Sequence, residues 1–381
     1  MTANSGSSQD QTEDSPPILE TPGAPENPAD VEYSLSAGIA ARMLGFNVAI
    51  AFTSYQSGIL YFFGATARGP HLHQSGMCKP MGLHLDGAGR LALVAGEQIL
   101  RFENVLEAHE RINDGFDACF VPRLIHVTGD LDVHDIGIDA SNRPIFVNTR
   151  FNCLATVSTR HSFEPVWQPP FISGLLDGDK CHLNGLAMDE GRPAFVTAVS
   201  RSDVIDGWRD RRANGGVVVD VATGDIICEG LSMPHSPRVH NGELWLLNSG
   251  TGELGVVTRR AGAGGRFEPR AFCPGFVRGL AFHGKYAFVG LSKPRYKRFE
   301  GLELDERLRK ADAEPWCGVQ IIDLDTGGCV DWLRIDGAVG ELYDVAVIPG
   351  FARPMALTPG SPEIAGLITF AAATKPDAVA D

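Results

Sequence analysis

Positive charge is what this chain has least of. Its 381 residues carry 33 Lys and Arg against 47 Asp and Glu, a formal net charge of −14. Nucleic-acid binding needs a basic surface to offset phosphate, so that class of partner is excluded. Long apolar runs are missing too: no stretch of the sequence approaches the roughly 20 residues of a membrane-spanning helix. The 8 cysteines are scattered along the chain without one C-x-x-C pair. That spacing excludes a zinc ribbon or a thioredoxin-type site and favours free thiols over a disulfide framework. Residues 1–30 are rich in Ser, Pro, Glu and Asp and have neither a basic start nor an apolar centre. They read as neither a signal nor a transit peptide. Disordered tails are expected over 1–32 and 371–381, and the cytoplasm is the expected compartment.

Turn residues are abundant, with 44 Gly and 24 Pro, and a hydrophobic content of 44% suffices for a core. Four passages share a form, a polar cluster, a short strand, a tight turn and a second strand. They are Lys79 to Asp86 leading into Arg90 to Val94, Asp132 to Asp139 leading into Arg143 to Asn148, Cys181 to Asp189 leading into Arg192 to Ala198, and Gly279 to His283 leading into Tyr286 to Gly290. Asp86, Asp139 and Asp189 recur at steps of roughly 50 residues, a period that marks propeller blades when it is built of short strands. The sequence predicts an all-β fold: one six-bladed β-propeller over 33–370, closed by N-terminal strands and carrying short helical insertions. A seven-bladed ring is the alternative if the blade boundaries shift.

In order, a short helix is expected over 34–44. Strands at 47–54 and 59–63 complete the last blade, which removes exposed sheet edges. Blade one covers about 79–129, with a helical insertion at 105–113. Blade two covers about 132–172, with outer strands at 156–159 and 164–167. Blades three, four and five cover about 182–231, 235–273 and 277–335, and blade six starts at Glu341.

The loop into each blade, and the loop between its second and third strands, open on one mouth of the axial channel. His134, His182 and His235 end the loops into blades two, three and four, and Glu341 ends the loop into blade six. His71 and His73 are placed in the loop into blade one. The insertions at 202–214 and 293–316 fall on the same side, as do Asn148 and Arg150. Imidazoles with a carboxylate form a common shell for Zn, Fe, Mn or Cu, so a divalent transition metal on His134, His182, His235 and Glu341 is expected. The bland reading has each histidine bonded to a neighbouring loop. Asn184 is a ligand, a substrate contact or a turn residue. Tyr343 is a general acid or a packed phenol. Arg150, Arg201, Arg238 and Arg278 bind a carboxylate or phosphate, or form salt bridges between blades. Asp135 and Asp344 orient a ligand or cap a turn. His84, His109, His126, His161, His240 and His283 are read as structural. Trp208 and Trp316 cover a ligand or pack on the blades.

The runs Leu154-Ala155-Thr156, His161-Ser162-Phe163, Pro165 to Ser173 and Cys181 to Ala187 resemble a bacterial conserved-hypothetical family of about this length. That resemblance implies kinship over most of 35–370 and no reaction. More distantly, the layout is similar to the six-bladed gluconolactonase and senescence-marker propellers and to the peptidylglycine amidating lyase, which implies one divalent ion on the axis. Asn184 and Glu341 match the first group in ligand type, and His134, His182 and His235 the second. The functional expectation is a metal-dependent hydrolase or lyase, with Fe or Cu oxidative chemistry open. Its expected substrate is a small anion or a peptide, with Glu341, Tyr343 and Asn184 as catalytic groups and Arg150, Arg278, Asn148, Arg238 and His73 as substrate contacts. The alternative is a non-catalytic propeller that holds a peptide or protein partner at the same mouth.

Overall fold

A computed structural model describes residues 31–371, apart from 88, 114, 261, 262, 296 and 297. Both expected tails therefore fall outside the described residues, except that Val31–Leu35 is a strand. Six antiparallel sheets form the ring, each ordered from inner to outer strand along the chain. Blade six is the exception that closes it: Val345–Pro349 is its inner strand, and Val48–Ser54, Ile59–Thr66 and Gly69–Gly76 supply the rest. Val31–Leu35 adds a fifth strand to blade five, and Pro354–Ala356 adds one in parallel to blade one. No helix among the described residues is long and apolar enough to cross a membrane.

Period-two alternation explains where the core lies, because successive side chains leave a strand on opposite faces. In Val48–Ser54, Ile50 and Phe52 pack against Phe288, Val319 and Leu333 of blade five. Ala49 and Ala51, from the other face, pack against Leu83, Leu91 and Leu93 of blade one. Each further junction has a cluster of its own, from blades one and two around to blades four and five. The ring is thus six cores in series, one between each pair of blades.

Two of the recurring aspartates, Asp86 and Asp139, turn out to be turn locks, as does Asp220 at an outer turn. The Asp139 carboxylate accepts the N–H groups of Ser141 and Arg143 at 2.9 and 2.8 Å. Asp86 accepts that of Arg90 at 3.0 Å, and Asp220 that of Ala222 at 3.0 Å. Such short side-chain bonds to the backbone favour turns over continued strand.

Near the axis the inner strands alternate in kind. Blades two, four and six carry Asp135, Ser236 and Asp344, and each caps a backbone N–H of the next blade: Leu186 at 2.9 Å, Gly279 at 3.0 Å and Leu83 at 2.9 Å. Blades one, three and five carry glycine at the matching place, Gly82, Gly185 and Gly279, because the neighbouring blade crowds it. A Cβ on Gly82 would lie 3.0 Å from the Asp135 Cα, and one on Gly279 2.7 Å from the Asp344 carbonyl carbon. On Gly185 it would fall within the Pro237 ring and 2.8 Å from Thr197 Oγ1. Gly185→Ala is expected to cost about 3 kcal/mol or more, since an overpacked core has nowhere to move; urea unfolding measures it.

Arg238 of blade four fills the channel. Its guanidinium lies 2.8 Å from Asp135 of blade two and 3.4 Å from Asp344 of blade six. Side chains from alternate blades meet only on the axis.

Several expected details are corrected. Val105 to Asn113 forms turns rather than a helix, with a Glu110 N to Glu107 O bond of 2.9 Å and a bridge from Ile112 to Phe116. The helix near 34–44 is Ile39–Phe46, and the third strand of blade two is Cys153–Thr156. Blade six begins at Val345 rather than Glu341.

Candidate active site at the axial mouth

Each blade meets the mouth with one residue: Met81, His134, Asn184, His235 and Arg278 on the inner strands of blades one to five, and Tyr343 two residues before that of blade six. Contacts among them, one of which skips a blade, put them around the axis. The His134 ring is 5.8 Å from that of Tyr343, and the Arg278 guanidinium is 5.4 Å above the same phenol ring. Asn184 Nδ2 is 3.1 Å from His235 Nε2. Two residues earlier, the backbone makes a left-handed bend at Lys79, Asp132, His182 and Met233, with φ of 42°, 49°, 50° and 49°. His182 therefore aligns with Asp132 and Met233, and Asn184 takes the ring position in blade three. Equal blade spacing of the three histidines concealed this two-residue offset.

The hydrogen bonds fix the tautomers. Thr149 Oγ1 donates to Leu183 O at 2.6 Å, so it accepts from His134 Nδ1 at 2.9 Å, and that N–H also faces Asp132 O at 2.8 Å. Blade four repeats the device: Ser249 Oγ donates to Val277 O at 2.6 Å and accepts from His235 Nδ1 at 3.0 Å, with Met233 O at 2.8 Å. His182 Nδ1 donates to Asp179 Oδ2 at 2.6 Å. All three rings thus keep Nε2 as the basic nitrogen. Asn184 uses that of His235; those of His134 and His182, whose rings stand 4.8 Å apart at 82°, are left for the cavity. Trp208 stacks on His182 at 4.1 Å and holds its plane.

Charge states follow from burial. His134 is pushed down to about 4, first by desolvation and then by nearby His182 and Arg278, against the pull of Asp132. Burial, then the Arg278 charge, holds His235 well below its ordinary value. Burial raises Tyr343 well above a normal phenol, so it is a donor, and its hydroxyl has no hydrogen-bond partner among the described residues. Burial alone would raise Asp132; His134, His182, Lys79 and Arg278 outweigh it and lower it. An imidazole depressed in the fold takes up protons more readily when unfolded, so the His134 contribution to stability is lost as pH falls from about 6.5 to about 4. Proton NMR is expected to show His134 neutral at pH 6, with its titration moved upward when an anion binds beside it.

The mouth encloses a cavity of about 500 Å³ lined by His134, His182, Tyr343, Arg278, Glu341 and others. Lys79, Arg209, Arg212, Arg278 and Arg295 line it against Asp132, Asp179 and Glu341, so the mouth is cationic on an acidic chain. Glu341 is enclosed by Arg278 at 3.4 Å, Arg295 at 3.0 Å and the Tyr55 hydroxyl. The remaining expected contacts lie elsewhere. Arg150 is locked in a bidentate pair with Asp177 at 2.6 and 2.7 Å, and Arg238 is the plug of the channel below. His71 and His73 sit on the outer strand Gly69–Gly76 against Phe116 rather than in a mouth loop. Asn148 is buried behind the mouth, accepting from Phe151 N at 3.1 Å. Arg201 pairs with Glu229 at 3.0 Å, and Trp316 packs toward Trp332.

Sequence reasoning missed Tyr55, Lys79, Asp132, Asp179 and Arg295. Tyr55 was within reach: it follows the second strand of the closing blade, and such loops open on the mouth. Among the described residues no group of three or more His, Cys, Asp or Glu side chains is gathered as a metal site.

The model of a domain of unknown function, DUF4915, matches residues 38–357. The chain belongs to the DUF4915 family. No curated protein matches it. Solved structures similar to this DUF4915 chain include one from a nidogen–laminin complex, with TM-score 0.49, 11% identity, and coverage of 80% of this chain and 99% of that one. A gluconolactonase from Xanthomonas campestris has TM-score 0.46 and 11% identity, with 77% and 86% covered. Virginiamycin B lyase from Staphylococcus aureus has TM-score 0.39 and 11% identity, with 76% of each covered. At these identities the likeness concerns the fold and leaves the chemistry open.

Proposed function

We propose that the axial mouth is the active site of an acid–base enzyme, a hydrolase or lyase, acting on a small anionic substrate. One observation carries the reading: His182, backed by Asp179, shares a cavity with the buried, unpartnered hydroxyl of Tyr343. Asp179 fixes the tautomer and stabilises the imidazolium once Nε2 has taken a proton, the logic of a base held by a carboxylate. In hydrolysis that proton comes from a water whose oxygen bonds to the substrate carbon. The oxygen that gains charge accepts from Tyr343, and the departing group takes the proton back. Arg278 holds the anionic part, and Glu341 positions Arg278 and Arg295. The test is turnover of a panel of small anionic esters and lactones by the parent and by His182→Ala. Loss in the variant supports the reading; equal slow turnover by both overturns it, and binding of a peptide without turnover favours the non-catalytic propeller.

A second reading keeps a divalent transition metal. It is favoured by the anchoring of every Nδ1–H, the arrangement that leaves Nε2 to ligate. No step above is routed through an ion. Metal analysis of untagged protein distinguishes the two: a stoichiometric ion lost in His134→Ala supports the metal, and turnover that survives chelation supports the first reading.

A further inference from the structure

We propose that the substrate is an oxyanion joined to a flat apolar body, seated with its charge away from the catalytic histidine. The seat is a side lobe between the insertions of blades three and five. This inference rests on the axial mouth being the active site.

The side lobe has a volume of about 380 Å³ and shares Arg212, Arg278, Arg295 and Glu341 with the axial cavity. It lies within the usual range of small-molecule sites, roughly 300–1,000 Å³. Charge separates the lobes. Asp132 and Asp179 line only the axial one, where they would repel an anion. The side lobe adds Lys293, paired with Asp336 at 3.2 Å, and Arg298, paired with Glu300 at 3.3 Å, and Glu300 is the one further carboxylate in its described lining. Arg212 makes no ion pair among the described residues; its Nε donates to Arg209 O at 3.1 Å and its Nη2 makes only a long bond of 3.5 Å to Glu300 O, which leaves Nη1 for a ligand anion. Guanidinium binds carboxylate and phosphate alike, in a planar two-bond geometry.

The other wall is aromatic. Phe276 and Phe299 lie 6.1 Å apart at 23°, and the Arg278 guanidinium is 4.9 Å above Phe276. Both phenyl rings belong to one packed cluster with Trp208, Met233, Leu304 and Leu308. Helix Leu304–Lys310 ties that cluster down through an Arg307–Glu253 pair of 2.6 Å and a bond from Leu304 N to Gly250 O of 2.9 Å. The aromatic wall is therefore preformed, and a ligand meets a rigid apolar face beside the cations. A bare inorganic anion would use only the cations, and a neutral aromatic only the face.

Calorimetric titration with phenyl phosphate, benzoate, inorganic phosphate and benzyl alcohol tests this. Both aromatic anions are expected to bind about tenfold or more tighter than inorganic phosphate or benzyl alcohol. Arg212→Gln and Phe299→Leu, with folding checked by thermal melting, are expected to weaken phenyl phosphate by roughly five- to tenfold, and His182→Ala by less than about twofold. Inorganic phosphate binding as tightly as phenyl phosphate would overturn the proposal. So would full affinity in Arg212→Gln with loss in Arg278→Ala, which would put the anion on the axis and leave the active-site reading standing. Aromatic-anion binding that follows Arg212, in a protein whose turnover ignores His182, would sustain the side lobe and sink the catalytic assignment instead.

Discussion

Arg238→Ala is expected to lose about 3–5 kcal/mol of folding stability near pH 8, and distinctly less near pH 5. The half-buried guanidinium lies on the axis within 2.8 Å of Asp135 and 3.4 Å of Asp344, whose own side chains are buried. Both carboxylates also cap backbone N–H groups of the next blade, so neither can swing out to water. Removing the cation strands them in a poorly solvated channel. Burial already raises Asp344 to about 7 even though Arg238 pulls it down. A carboxyl whose value is higher folded than unfolded holds more protons in the native state, so its contribution to stability falls as pH rises from about 4 to about 7. Without Arg238 that rise is larger, and acid relieves the variant by protonating Asp344. Arg238→Met restores bulk without charge and should show the same pH dependence. Urea unfolding at the two pH values gives the result; an equal deficit at both would mean that packing, rather than charge, is what Arg238 supplies.

His182→Ala is expected to lower turnover by about 10²–10⁴-fold, the usual contribution of a placed general base. Asp179→Asn should fall by less, and its loss should lie in kcat rather than KM, because the amide still accepts from Nδ1 but no longer stabilises the imidazolium. A merely structural role for Asp179 would lower stability or raise KM instead of separating kcat from KM. Unchanged kcat in His182→Ala would remove the acid–base reading altogether.

The ring was legible because its repeat is local: most blades announce themselves by a short strand, a tight turn and a second strand, and in blades one and two an aspartate locks that turn. Closure by Val48–Ser54 was legible too, since unpaired strands before the first blade need a sheet. The candidate site was only half legible. His134, His182, Asn184, Arg278, Glu341 and Tyr343 were placed at the mouth by strand direction alone. Their division of labour was not, because a two-residue offset such as that of His182 against His134 leaves the period intact. Whether an arginine is available or spent also depends on partners distant in sequence. Arg150 and Arg238 meet Asp177, Asp135 and Asp344, whereas Arg212 meets no carboxylate among the described residues. The insertion at 105–113 misled because its apolar spacing serves contacts with Cys119, Met355 and Leu357 instead of a helix.

Blade six joins Val345–Pro349 to strands made some three hundred residues earlier. On the ribosome, Val48–Ser54 therefore waits, its inner edge unmatched, until nearly everything else has been translated. The last sheet acts as a clasp, and a nascent chain that stalls before Val345 presents a sticky open strand to its neighbours.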